Sequence, residues 1–391
     1  MIYDFTTLPD RWDAGAFKYE HMKEKKPDVS RDAVPLSVAD MEFLDPPEVV
    51  EGLKAYLDHN VLGYTGPRSG YFAAVQGWME RRHGFRPEKD WFVISPGIVP
   101  ALYELVKALT QPGDGVLMLT PVYHPFRFCA QEQGREALFC PLIERERTYD
   151  IDFDLFEKLC ARPEVKLFLL CSPHNPVGRV WTREELLRLA DICLKNGVVM
   201  VADEIHGDLI LPGYTFTSVG TLPEKYVKNA VICTAPSKTF NLAGMQCSNL
   251  FAADDGLRAK VKKEGHYPTL TALGYESCRL AYTCGEPWLE ELRTVLGENR
   301  KLVEAYLADR IPEIRPFELM GTYLMWLDCR GLGLDKDALE QAMIDGELFF
   351  NEGVMFGPEG AGFERLNLAC PGWVLQRAMD KLFTVVRRIR A

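Results

Sequence analysis

Between about residues 91 and 252 the chain repeats one pattern. Short apolar runs (WFVIS, VLMLT, ALFCPL, VKLFLLC, GVVMVAD, AVICTA and SNLFAA) are separated by segments with helical spacing such as TREELLRLADICLKNG. Apolar β-rich runs alternating with helical patterns predict an α/β domain built on a central, mainly parallel sheet. KLFLLC and GVVMV are apolar without alternation, as expected of strands covered by helices on both faces. Downstream, EPWLEELRTVLGENRKLVEAYLADRI reads as one long amphipathic helix. The segments GTYLMWLDCR, ALEQAMIDGELF and RLNLACP after it predict a smaller α+β domain. Placing the boundary in the long helix divides the chain into an N-terminal arm that joins the small domain (1–45), a large domain (46–285) and a small C-terminal domain (286–391).

Composition narrows the function classes. The chain has 391 residues, 47% of them hydrophobic and 26% charged, the balance of a globular protein, and no stretch approaches the ~20 apolar residues of a spanning helix. The N-terminus has neither a basic start nor an apolar run, so the expectation is a cytoplasmic enzyme with no membrane partner. A net charge of −11 argues against a nucleic-acid surface, which needs a clustered positive field. The short basic runs HMKEKK and RRIRA read as solvated faces. Eleven cysteines lie singly on or beside apolar segments, which reads as buried thiols rather than disulfides. Neither paired cysteines nor HxxxH spacing suggests a metal site.

In open α/β sheets ligands bind at the carboxyl ends of the strands, and there the sequence carries unusual residues. After WFVIS, Gly97 can turn the backbone so that the amides of Ile98 and Val99 open a helix toward an anion; a plain turn explains the same residues. After VLMLT, Tyr123 can stack on a flat ring or simply join the core. After VKLFLLC, Asn175 in SPHNPVG offers an amide donor inside what is also a good turn. After GVVMVAD, Asp203 is a carboxylate on an apolar strand, which needs either a cationic partner or a capping role. After AVICTA comes Lys238, suited to imine formation if its pocket lowers its pKa, or else a surface lysine.

Taken together, asparagine, aspartate 28 residues on and lysine 35 further, each just after an expected strand, resemble the pyridoxal 5'-phosphate (PLP) dependent aminotransferase superfamily of fold type I, whose founding architecture is aspartate aminotransferase-like. The resemblance covers nearly the whole chain. It implies that Lys238 carries the cofactor as a Schiff base, Asp203 pairs with the pyridine nitrogen, Asn175 bonds the ring oxygen and Tyr123 stacks on the ring. It further implies that Arg365 binds the substrate carboxylate, with Asn175 and Tyr123 beside it, and that His206, Thr234 and Ser237 join Gly97, Ile98 and Val99 around the cofactor. The motifs SVADMEF with Asp40, GYTGP, PVYHPF, SPHNPVG, DEIHGDL, TAPSKTFNLAGM and GVMFGPEG resemble the cystalysin-type cystathionine β-lyases, a carbon–sulfur lyase branch that includes the maltose-regulator-type protein. In that branch the tyrosine matching Tyr64 reaches the cofactor from the neighbouring subunit, implying a homodimer with shared sites. Gln246 replaces the phosphate-binding arginine of classical aminotransferases, and His124 replaces a second tyrosine of some lyases. The implied activity is α,β-elimination on an L-cystathionine or L-cysteine type substrate, giving pyruvate, ammonia and a thiol. Transamination uses the same residues, and a PLP-binding regulator keeps the fold; the motifs do not separate these alternatives.

Overall fold

The protein is described by a computed structural model covering residues 1–264 and 270–390. Each of the seven apolar runs forms one strand of a single sheet: β1 (Phe92–Ser95), β2 (Gly115–Thr120), β3 (Glu136–Pro141), β4 (Val165–Cys171), β5 (Val199–Asp203), β6 (Ala230–Thr234) and β7 (Ser248–Ala252). Their order is β1-β7-β6-β5-β4-β2-β3. All run parallel except β7, which is antiparallel to both neighbours. The helices that frame the site are α1 (Phe17–Lys25), α2 (Ile98–Leu109), α3 (Arg183–Lys195), α4 (Glu286–Arg310), α5 (Lys336–Asp345) and α6 (Gly372–Arg390).

Side chains alternate across the sheet and feed two apolar layers. Met118, Leu169 and Val201 pack with Leu102 and Leu105 of α2 on one face. Leu117, Leu170 and Ala202 pack with Leu186 and Leu189 of α3 on the other. Helix α3 starts on a reciprocal cap, Thr182 Oγ1 accepting from Glu185 N and Glu185 Oε2 from Thr182 N, which satisfies two otherwise free donors.

The long helix α4 forms as expected and leads to an antiparallel sheet of β8 (Arg315–Pro316), β9 (Leu324–Asp328), β10 (Asn351–Glu352) and β11 (Phe363–Asn367), in the order β8-β9-β11-β10. The N-terminal segment packs here, with Tyr19 and Met22 against Phe349 and Asn367 N donating to Leu36 O at 2.9 Å. All the cysteines are buried except Cys284, which is half-buried. Among the described residues no helix is long and apolar enough to cross a membrane.

The turn that holds β10 against β11 depends on two glycines back to back. A β-carbon on Gly353 would stand 2.1 Å from the Gly360 carbonyl oxygen, and one on Gly360 1.9 Å from that of Gly353. Backbone cannot swing aside as a side chain can. Gly353→Ala is therefore expected to destabilise the fold by about 3 kcal/mol, the upper end of overpacking costs, read as a lower unfolding midpoint in denaturant; an unchanged midpoint would refute the close approach.

Candidate active site

Strand order reverses between β2 and β4, and such a switch point opens a crevice at the carboxyl edge. The segments that follow β2 and β4 carry Tyr123 and Asn175 into a cavity of about 930 Å³. Gly97, Ile98, Val99, Asp203, His206, Ser237, Lys238, Gln246 and Arg365 also line it. Residues scattered over 269 positions of sequence thus converge because one edge of one sheet collects them.

Lys238 sits on a four-residue helix, Pro236–Thr239, between β6 and β7. Because β7 runs opposite to β6, it starts at the edge where β6 ends, and the connection never leaves that edge. Thr239 anchors it: its hydroxyl donates to Asp208 Oδ2 at 2.9 Å, and Asp208 also accepts from Trp78 Nε1 and pairs with His83 Nε2. Lys238 Nζ donates to the Ala39 carbonyl at 2.7 Å, which also accepts from Tyr323 Oη at 2.8 Å. Burial pulls the Lys238 ammonium down to about 8, although Asp40 and Asp203 act the other way.

The position of Ala39 is itself fixed by buried charge. Lys18 lies between Asp40 (2.7 Å) and Glu42 (2.9 Å), and Arg11 reaches the same two carboxylates at 2.8 and 2.7 Å. Asn367 Nδ2 donates to the carbonyls of Val38 and Asp40. These contacts hold Val38 at φ 53°, a left-handed conformation that costs a β-branched residue on the order of 1–3 kcal/mol and persists only where the surroundings over-determine it.

Asp203 is 4% exposed and accepts from Ile205 N at 3.2 Å. Burial raises its carboxyl to about 7, opposed by that amide and by Lys238, so the site holds an acid awaiting a cation. Arg365 donates through Nη1 to Asn175 Oδ1 at 2.8 Å and through Nη2 to Asn351 Oδ1 at 2.6 Å. Its Nε is buried with no partner among the described residues. Burial pulls the guanidinium down to about 10, still fully charged near neutrality. Because arginine only donates, the Asn175 oxygen must face it, which leaves the Asn175 amide hydrogens for the cavity. Burial raises the Tyr123 hydroxyl and depresses the imidazoles of His124 and His206, so these groups are neutral. Gly97 precedes α2 at φ 148°, where a β-carbon would be strained, and the first-turn amides that follow are intrinsically free donors.

Two expected residues lie elsewhere. Thr234, buried at the end of β6, directs its hydroxyl to the Asn249 carbonyl of β7 at 3.5 Å and does not line the cavity. Tyr64 is fully exposed and lies outside the cavity of its own chain. The run HMKEKK is only partly a solvated face: its Lys25 is bound to Glu340 and Glu352 in the cavity wall. Of RRIRA, Arg390 pairs with Glu313, and Ala391 lies outside the described residues. Ala39, Tyr323 and Asn351 had no sequence signal, since a backbone carbonyl and two distant side chains acquire their roles only by proximity.

The chain is similar to known proteins over nearly its whole length. The chain is 41% identical over 355 residues to cystathionine β-lyase PatB of Bacillus subtilis, covering 90% of this chain and 92% of that one. It is 30% identical to the protein MalY of Escherichia coli over the full length of both. The crystal structure of cystalysin from Treponema denticola, which contains a pyridoxal 5'-phosphate cofactor, superposes with a TM-score of 0.97 at 43% identity, covering 99% of this chain and all of that one. A family profile described as aminotransferase class I and II matches residues 31–382, and this chain belongs to that family.

Proposed function

We propose that the protein is a PLP-dependent carbon–sulfur β-lyase that cleaves L-cystathionine or related S-substituted L-cysteines to a thiol, pyruvate and ammonia. The observation that carries the reading is Lys238, Asp203 and Arg365 facing one cavity, in a chain whose similar proteins include a cystathionine β-lyase and the PLP-containing cystalysin. The residues fit the coenzyme. A buried acid raised to about 7 suits a protonated pyridine nitrogen, the Asn175 amide hydrogens suit the ring hydroxyl, and the first turn of α2 suits the phosphate. Lys238 supplies the amine that would hold it, with Ser237, His206, Ile98 and Val99 around it.

When bound, PLP supplies an electron sink at the substrate's α-carbon. The chain supplies position and protons. Arg365 holds the substrate carboxylate by paired charge-assisted hydrogen bonds, which turns the Cα–H bond toward Lys238. The neutral Lys238 amine takes that proton. The Cβ–S bond then breaks with its electron pair on sulfur, and Tyr123, kept protonated by burial, gives the thiolate its proton. Addition of one water balances the products. We assign Tyr64 to the partner subunit's site; its full exposure beside exposed Leu57, Val61 and Leu62 supports an interface there.

The test is pyruvate release from L-cystathionine without any keto-acid acceptor; activity only when a keto acid is added would make the protein an aminotransferase instead. Asp203→Asn is expected to lower kcat about 10- to 100-fold, the value of one hydrogen bond to a charged group, and to shift the absorption of the bound coenzyme. An unchanged spectrum would remove Asp203 from the ring nitrogen.

A further inference from the structure

We infer that the far end of the cavity, where Lys25, Glu340, Glu352 and Glu364 meet, is a subsite for a cationic group carried by the substrate beyond its sulfur. The inference deepens the lyase reading and rests on it. Strand β10 is the edge of the small sheet, and its residues pair in register with β11, Asn351 opposite Arg365 and Glu352 opposite Glu364. Neighbouring residues on a strand face opposite ways. One pair therefore serves the carboxylate clamp, and the other lies across the strand. The cavity runs past this edge and is lined by both pairs.

Chemistry at the far end is unbalanced. Lys25 Nζ stands 2.6 Å from Glu340 and 2.7 Å from Glu352, so one ammonium serves two carboxylates. Glu364 makes the third. It is 3% exposed and its carboxyl has no hydrogen bond or ion pair to any described residue, although a buried polar group without a partner is costly. Burial raises it to about 8, with Glu352 and Glu340 adding to the effect and Lys25 opposing it. Burial and the neighbouring Glu340 also raise the Glu352 carboxyl, so three carboxyl groups crowd around one ammonium and lack a second cation among the described residues. An alkyl tail offers nothing to this charge. An ammonium, such as the one at the distal end of L-cystathionine, offers up to three donors, whereas a tail ending only in a carboxylate would be repelled.

The test uses the PLP-loaded enzyme and two ligands of equal length, L-lysine and L-2-aminoheptanoic acid, which differ in ending on an ammonium or a methyl and carry no leaving group at Cβ. Calorimetry is expected to show L-lysine bound about tenfold or more tightly, as charge-assisted hydrogen bonds imply. Glu352→Gln and Glu364→Gln should each move that ratio toward one, and Glu340→Gln, on the helix across from them, gives a third variant if either fails to fold. The same preference is expected in kcat/KM for S-(2-aminoethyl)-L-cysteine over S-propyl-L-cysteine. Equal affinities in the unaltered enzyme would overturn the subsite while pyruvate release left the lyase reading standing. Failure of both ligands to bind would overturn the subsite alone if pyruvate is released from L-cystathionine, and both readings together if it is not.

Discussion

Lys238→Ala is expected to abolish the covalent link to the coenzyme and to lower β-elimination by about a thousandfold or more, because in the proposed reaction one amine serves as both anchor and general base. Two features prepare it. The antiparallel β7 keeps its helix at the carboxyl edge, and the Ala39 carbonyl, 2.7 Å from Nζ, fixes where the amine points. Only the neutral amine attacks an aldehyde. With the ammonium pulled down to about 8 by burial, the rate at which coenzyme-free protein takes up PLP should rise with pH and level off near 8. An ordinary lysine would keep the rate rising toward its usual pKa of about 10.4. Absorbance followed after mixing at a series of pH values measures this, and a plateau only above pH 10 would show that the pocket does not lower the lysine. Elimination that survived intact in Lys238→Ala would sink the assignment of the base.

Arg365→Ala should lower kcat/KM on the order of 100-fold or more, since removing one partner of a buried charged contact costs about 2–5 kcal/mol. The loss is expected mainly in KM, because the carboxylate is held alike before and during the reaction. Arg365→Lys should rescue little. Lysine cannot reach Asn175, Asn351 and a substrate carboxylate with one planar fork, and the Asn175 amide would lose the partner that sets its orientation. The coenzyme spectrum should change little while substrate saturation moves to higher concentration. Unchanged KM in Arg365→Ala would place the carboxylate elsewhere in the cavity.

Much of this arrangement is legible in the chain. Six of the seven apolar runs became strands covered on both faces, and the seventh, β3 at the sheet edge, buries only alternate residues and leaves Phe139 exposed. Asn175, Asp203 and Lys238 stand out because polar groups directly after such strands lie at the edge where ligands gather. Thr234 shows the limit of that rule: it follows the same logic, yet its hydroxyl turns into the sheet toward Asn249, since side chains alternate and a one-residue difference reverses the face. Lys25 shows the limit of reading charge runs as solvated surface. One lysine of HMKEKK finds two carboxylates more than 300 residues away in sequence.

By itself, then, the sequence determined the layers, the edge at which chemistry collects and the amine, acid and amide brought there, because those follow from local apolar patterning and short-range turn chemistry. Only the tertiary structure decided which carbonyl meets Lys238, how Arg365 orients Asn175, and that Lys25, Glu352 and Glu364 close the far end of the cavity. Those contacts join segments hundreds of residues apart, and their energies depend on burial and distance, which no local pattern encodes.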